Sequence, residues 1–147
     1  MDLRKGFPRS MRVTMEGYVH LARMLDKCRA VLAGTEGEYI YPCPMDDRLL
    51  EYAGITAQQF TEAVRTYSTD EALARWFRQT TKGHPPDELD EWNQKLLARG
   101  PSSPESAERF RRYRDAIDPS RTDITAWSDL LDLDEGRSVP PRNRPTR

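Results

Sequence analysis

The stretch "YVHLARMLDKCRAVLAG", residues 18–34, is the part of the sequence that most clearly indicates a helical fold. At about 100° per residue, its apolar side chains gather on one stripe, as they do in a helix that lies on a protein core. That stripe consists of Leu21, Leu25, Cys28 and Leu32. Gly34 follows it, and glycine is the usual residue in the left-handed position that ends a helix. The pattern therefore predicts a first helix that begins near Met11 or Thr14 and ends at Ala33.

The side of this helix opposite the apolar stripe is polar. Its members follow one another at intervals of three and four residues, which places them in one row: Glu16, His20, Arg23 and Lys27. Such a row is typical of a face that lies in water, and this is the interpretation that we favour. A helix covered on all sides would instead need a partner for each of these groups.

Arg29 departs from this division, because it falls on the apolar side between Leu25 and Ala22. A guanidinium on an apolar face needs an acceptor, since a buried unpaired charge is costly. We expect a carboxylate partner in Asp46, in Asp47 or in an acid of the last helix, fastening the following loop to the helix. The functional alternative is an anion pocket for a carboxylate or a phosphate.

Helix-capping signals divide the rest of the chain into short helices. "MDDRLLEYAG" predicts a helix that ends at Gly54, and Thr56 with Gln59 forms a capping box for the next one. Ser68 with Glu71 predicts the cap of a further helix, which ends near residue 83.

Proline marks the starts of the next two helices. Pro86 opens one that ends near Gly100, and Ser103 caps another that begins at Pro104. A last helix is expected over roughly residues 123–133. Six or seven short helices with short connections are typical of an all-α domain.

Two segments fall outside this helical pattern. In the loop "GTEGEYIYPCP", residues 34–44, "YIY" allows one very short strand pair near residues 38–42, which Pro42 and Pro44 cut short. The final "SVPPRNRPTR" is basic and rich in proline, with little to bury. We therefore predict one compact helical domain over residues 1–137 and a flexible tail over residues 138–147.

The composition excludes several classes of function. Charged residues make up 32% of the chain, but the formal net charge is only −1, which argues against a general nucleic-acid binder. "RFRRYR", residues 109–114, is interpreted as a helix edge whose arginines are balanced by nearby acids. No apolar run approaches the roughly 18 residues of a membrane span. No apolar signal core follows the basic start, so we expect a cytoplasmic protein.

The cysteines and histidines predict neither a disulfide framework nor a metal site. The chain has two of each and no C-x-x-C pair, so metal-ligand spacing is absent and we expect no cofactor. Cys28 lies on the apolar stripe, which indicates a buried, inert thiol. P-loop, G-x-S-x-G and Rossmann fingerprints are also absent, which argues against kinases, serine hydrolases and Rossmann dehydrogenases.

Six segments occur in an order that is typical of one bacterial family. They are "DLRKGFPRS", "GYVHLARMLDKCRAVLAG", "GEYIYPCPMDDR", "STDEALARWF", "DEWNQKLLARG" and "TDITAWSDLLDLDEGR". From about residue 2 to residue 137 the chain thus resembles the bacterial domain-of-unknown-function family numbered five-zero-six-nine. The resemblance implies a small, single-domain, mostly helical bacterial protein, and it carries no activity over to this chain.

The resemblance also indicates which positions belong to the family's pattern. These are Arg23, Asp26, Lys27, Tyr39, Asp46, Arg48, Trp92, Asn93 and the "DEGR" of residues 134–137. His20 matches one branch of the family, whereas another branch has an aromatic residue there. The resemblance therefore does not imply an indispensable catalytic histidine.

The candidate ligand-binding residues follow from these patterns: His20, Arg23, Lys27, Arg29, Tyr39, Asp46, Arg48 and Asn93. Asn93 falls between two leucines of its helix, so its amide is expected to hold either a loop backbone, the favoured reading, or a ligand.

Two functions remain open. The first is a non-catalytic module, a monomer or homodimer, that binds a small anion or a protein partner through the Arg/Lys/Tyr cluster or the basic tail. The second is a small enzyme that uses His20 or a Tyr–Asp pair for proton transfer on an anionic substrate held by Arg23 and Lys27. We favour the first, because the sequence shows no set of a nucleophile, a base and a residue that orients the base.

Overall fold

In the computed structural model, which describes residues 1–142, the chain forms seven α-helices and no strand. The helices are α1 (Leu21–Ala33), α2 (Pro44–Ala53), α3 (Ala57–Thr66), α4 (Asp70–Thr80), α5 (Pro86–Ala98), α6 (Pro104–Ile117) and α7 (Trp127–Asp134). The predicted all-α fold is confirmed. None of the seven helices is long and apolar enough to span a bilayer within the part of the chain that the structure describes.

Contacts along the chain divide it into two units, residues 1–93 and the residues from Gln94 onward. The first unit contains α1 to α4 and the start of α5, and the second contains the end of α5 with α6 and α7. The domain boundary at residue 137 stays a prediction.

Helix α1 is the centre of the first unit, because eight consecutive residues, Leu21–Cys28, are buried. Its apolar stripe joins a core that α2, α3 and α4 complete, chiefly with Leu49, Phe60 and Phe77. Burial of eight residues in a row means that both sides of the helix are covered, the polar side as well as the apolar one.

The predicted start of α1 is wrong, although its end at Ala33 with a left-handed Gly34 is confirmed. Residues 15–18 form a tight turn, in which Met15 and Tyr18 exchange backbone hydrogen bonds. Gly17 supplies the left-handed backbone that this turn requires, with φ at 81°. His20 also has a positive φ, at 72°, and a helix cannot continue through such residues.

The other predicted caps differ in accuracy. The capping box of Thr56 and Gln59 is confirmed, as are the starts at Pro86 and Pro104. The cap of α4 is Thr69 rather than Ser68, because the Thr69 hydroxyl accepts from the backbone N–H three residues on.

Three other boundaries shift by a few residues. Helix α4 ends at Thr80 and α5 at Ala98, two or three residues before the predicted glycines. Helix α7 begins at residue 127 rather than 123, because the Asp123 carboxylate is engaged with Arg121 instead of capping a helix.

The strand pair allowed near residues 38–42 does not form. The carbonyl of Ile40 accepts a hydrogen bond from the Lys27 ammonium at 3.0 Å, and Pro42 has no N–H to offer a neighbouring strand. The loop is thus fixed to α1 by a side chain rather than by a backbone ladder.

The second unit has its own small core of Phe110, Ile124, Leu130 and Val139. A side chain at Gly100 would meet the Thr125 carbonyl, since an added Cβ would lie 2.5 Å from its oxygen. Glycine therefore allows the backbone after α5 to approach the segment before α7.

The segment after α7 packs on this unit as far as the structure describes it. Val139 is buried in the core, and Arg142 makes two hydrogen bonds of 2.8 and 2.9 Å to the carboxylate of Asp129. The remainder of the predicted flexible tail, residues 143–147, lies outside the described residues.

Candidate functional site

The polar row of α1 is buried, so the predicted solvated face is wrong. The exposed fractions of His20, Arg23 and Lys27 are 1%, 2% and 4%. Only Glu16, in the turn before the helix, is partly exposed, and it pairs with Arg78 at 2.7 Å. Segments from elsewhere in the first unit cover this side of α1. The buried groups and their partners are called the α1 polar cluster: Arg9, His20, Arg23, Asp26, Lys27, Arg29, Asp46 and Asp70.

Asp46 is the centre of one half of the cluster. It lies in the first turn of α2 and is fully buried. One carboxylate oxygen lies 2.6 Å from Nε2 of His20, and the other accepts from the Lys27 ammonium at 2.7 Å. The backbone N–H of Cys43 also donates to Asp46, at 2.9 Å. The carboxylate thus joins α1 to the start of α2.

The charge states within this half follow from its contacts. Burial alone would raise the pKa of Asp46, but the hydrogen bond from His20 and the charge of Lys27 lower it to about 2. Burial lowers the pKa of His20, and this outweighs its hydrogen bond to Asp46. We therefore assign an ionised Asp46 and a neutral His20 whose proton is on Nε2.

This assignment leaves the other ring nitrogen of His20 with a lone pair. Within residues 1–142, Nδ1 is buried and has no hydrogen-bond partner. A buried polar atom in this condition is uncommon in folded proteins and is often found at functional sites.

Cys43 lies beside the same group. Its sulfur is 3.1 Å from the Lys27 ammonium, and burial raises the pKa of its thiol. The thiol is therefore protonated at neutral pH and is not an activated nucleophile.

The other half of the cluster is built around Asp26 and Asp70. Arg9 donates to Asp26 from its backbone and from two guanidinium nitrogens, at 2.9, 3.1 and 3.0 Å. Its third guanidinium nitrogen reaches Asp70 at 2.9 Å. The N-terminal segment is thereby fastened to α1 and to the start of α4.

Arg29 completes this half, with its Nη1 2.8 Å from the Asp70 carboxylate. The prediction of a carboxylate partner is confirmed, but the predicted partners Asp46 and Asp47 are wrong. Both oxygens of Asp46 are already engaged by His20 and Lys27. The acid that Arg29 meets instead begins α4, 41 residues further along the chain.

Arg23 lies beside the loop that follows α1. Its guanidinium donates to the Arg9 carbonyl at 3.3 Å and lies 5.7 Å from the ring centroid of Tyr39. This distance suits a cation–π contact. Tyr39 is half-buried, so part of its side chain is in contact with solvent.

The two remaining candidates lie outside the cluster. Asn93 donates to the Gly17 carbonyl at 2.7 Å and accepts from the Val19 N–H at 3.1 Å, as the favoured loop reading predicts. Arg48 is exposed on α2, and no hydrogen bond joins it to the cluster within the described part of the chain.

Sequence reasoning missed Arg9, Cys43 and Asp70. Arg9 lies 17 residues from its partner Asp26, and Asp70 lies 41 residues from Arg29. No local sequence pattern predicts pairs at such separations. Cys43 carried a signal, because it precedes Asp46 by three residues at a helix start, the spacing of a capping box.

The cluster also brings together metal-ligating groups that the sequence spacing did not predict. One ligand atom from each of His20, Cys43 and Asp46 lies within 4.8 Å of the others. Cys43 and Asp46 are neighbours on α2, but His20 is 23 residues before Cys43, which no local metal motif spans.

A separate groove of about 460 Å³ lies on the first unit between α3 and α4, lined by Tyr67 and Trp76 among polar side chains. None of the eight candidate residues lines it. The candidate site is therefore the buried cluster rather than this groove.

One family model matches most of this chain. A family model described as a domain of unknown function (DUF5069) matches residues 5–137. The chain belongs to this family. No curated protein matches it. The family assignment agrees with the resemblance drawn from the sequence, and the DUF5069 description states no activity.

Proposed function

We propose that this DUF5069 protein is a non-catalytic binding module that takes a small anion at Arg23 and Tyr39. The observation that carries the proposal is a guanidinium that is 2% exposed and lies against the ring of a half-buried tyrosine. A guanidinium has its N–H donors in one plane, a geometry that suits a carboxylate or a phosphate.

The eight candidate residues take different roles under this proposal. Arg23 and Tyr39 contact the anion. His20, Lys27 and Asp46 join α1 to the start of α2, and Arg29 holds the start of α4, because their contacts with protein groups are short. Asn93 holds a loop, and Arg48 remains at the surface.

A thermal-shift experiment tests the proposal. Wild-type protein is melted in phosphate, in malonate and in chloride at equal ionic strength. We expect phosphate or malonate to raise the melting temperature, since a ligand at about 100 times its Kd stabilises by roughly 2.7 kcal/mol. Arg23→Lys, which keeps the charge but loses the planar fork, should remove most of that rise.

The matched control is Arg75→Lys, an exposed arginine on α4 outside the cluster. It should leave the anion-dependent rise unchanged. Equal melting temperatures in all three salts, or equal rises in both variants, would refute an anion site at Arg23.

An acid–base enzyme is the second candidate, and the pair of His20 and Asp46 at 2.6 Å favours it. A working dyad needs a carboxylate and an imidazole that can exchange a proton with a substrate, but one Asp46 oxygen is engaged by His20 and the other by Lys27. Diethyl pyrocarbonate, which acylates accessible histidines, distinguishes the two functions in a His84→Asn background. Rapid modification of His20 would favour the enzyme, and protection favours the binding module.

A further inference from the structure

The Lys27 ammonium occupies a closed cage of cation ligands. It lies 3.0 Å from the Ile40 carbonyl, 3.1 Å from the Cys43 sulfur and 2.7 Å from the Asp46 carboxylate. A carbonyl, a sulfur and a carboxylate are also groups that proteins use to bind metal ions. The cage is therefore built to hold a positive charge, and it now holds one supplied by the chain itself.

His20 contributes a metal-binding group to the same place. Its Nε2 is held by Asp46 at 2.6 Å, and its buried Nδ1 has no hydrogen-bond partner within residues 1–142. An ion that Asp46 also binds must take Nε2, because Nδ1 lies on the opposite side of the ring from this carboxylate. The ring proton then moves to Nδ1, which no other group of the described residues uses.

We propose that His20, Cys43 and Asp46 form a binding site for a zinc-class divalent cation, which replaces the Lys27 ammonium. One ligand atom of each residue already lies within 4.8 Å of the other two. A nitrogen, a sulfur and an oxygen suit Zn²⁺ better than Mg²⁺ or Ca²⁺, which take oxygen ligands.

The metal exchanges one cation for another, so the buried Asp46 carboxylate keeps a positive neighbour. The ammonium must leave its three acceptors for this exchange to occur. Lys27 is therefore a competitor for the site, which makes its removal a direct test. This site uses different residues from the anion site at Arg23, so the two proposals are tested independently.

Cobalt absorption provides the primary test, with the full chain and Co²⁺ as the probe. Co²⁺ substitutes for Zn²⁺ and gives a near-ultraviolet charge-transfer band only when a thiolate binds it. We expect this band in the wild type and its loss on addition of Zn²⁺. Cys43→Ser should abolish the band, and the matched control Cys28→Ser, which changes the only other cysteine, should retain it.

Two further variants test a second ligand, His20, and the competitor, Lys27. His20→Asn, chosen because asparagine tolerates the positive φ of this position, should weaken Co²⁺ binding by about tenfold or more. Lys27→Met should strengthen Co²⁺ binding. If circular dichroism shows that Lys27→Met does not fold, Lys27→Gln is used for the same test.

Three results would overturn the site. They are the absence of a thiolate band in the wild type, its persistence in Cys43→Ser, and unchanged or weaker binding after Lys27 is replaced.

Discussion

Both units of the chain bury carboxylates, but they hold them differently. In the second unit, Asp129 is held by Arg142, which lies 13 residues away and is 36% exposed. In the first unit, Asp46 is held by His20 and Lys27, whose side chains are 1% and 5% exposed. The pair in the second unit leaves its cation, Arg142, in contact with water. The group around Asp46 in the first unit removes both the carboxylate and its partners from water.

This difference separates a structural fastening from a candidate site. An ion pair with one exposed member costs little to form and contributes little. A pair with both members buried pays the desolvation of each, and apolar residues of similar volume are often as stable. Breaking a pair around Asp46 is therefore expected to cost more than breaking the pair of Asp129, because it leaves a buried charge without a partner.

The largest expected effect comes from removing the charge of Asp46. Asp46→Asn leaves the Lys27 ammonium buried without its carboxylate and should lower the free energy of unfolding by about 3–5 kcal/mol. Asp129→Asn should cost only about 1–2 kcal/mol, because Arg142 can return to water. Urea unfolding of both variants measures the two losses, and equal losses would break the comparison between the units.

Acid provides the next test, through His20. Its pKa is lowered in the fold, below the ordinary value of 6.5, so unfolding takes up a proton in acid. The stability that this group contributes is present above pH 6.5 and is lost as the pH falls from there towards the folded value. We expect a loss of up to about 1.4 kcal/mol per pH unit in this window.

Urea unfolding from pH 7.5 to pH 5, compared between wild type and His20→Asn, measures this loss. The variant should show a shallower dependence on pH. Parallel curves would mean that His20 is not held neutral.

In the second unit, the segment after α7 is expected to contribute through its apolar contact. Val139→Ala should destabilise by about 1 kcal/mol, because two methyl groups leave the core of this unit. Val13→Ala, at an exposed position, is the matched control and should change stability by less than about half as much. No difference in melting temperature between the two variants would show that Val139 does not dock in solution.

The smallest effect is expected at Arg29. Its pair with Asp70 is partly exposed, with side-chain fractions of 25% and 40%, so water screens it. Arg29→Met should therefore cost less than about 1 kcal/mol in urea unfolding. A loss as large as that of Asp46→Asn would mean that Arg29 is as poorly solvated as the half of the cluster around Asp46.

The sequence predicted the helices better than the contacts between them. Caps such as Thr56 and Pro104 depend on neighbouring residues, and the structure confirms them. The start of α1 was wrong because Glu16 and His20 adopt positive φ values, which few residues other than glycine favour.

The candidate site was predictable only where it depends on the spacing of neighbouring residues. The row of His20, Arg23 and Lys27 follows from helical spacing alone. Its burial does not, because the groups that cover it, such as Arg9, come from distant segments whose approach depends on tertiary packing. A charged row has the same spacing whether it faces water or a partner.

Calorimetric titration with phosphate and with malonate is the most direct test of an anion site at Arg23 in the buried cluster on α1. Wild-type protein should bind at least one of them at a single site. Arg23→Lys should weaken that binding by about tenfold or more, equivalent to roughly 1.4 kcal/mol, while Arg75→Lys leaves it unchanged. No heat of binding with either anion, or equal affinities in the two variants, would contradict the account.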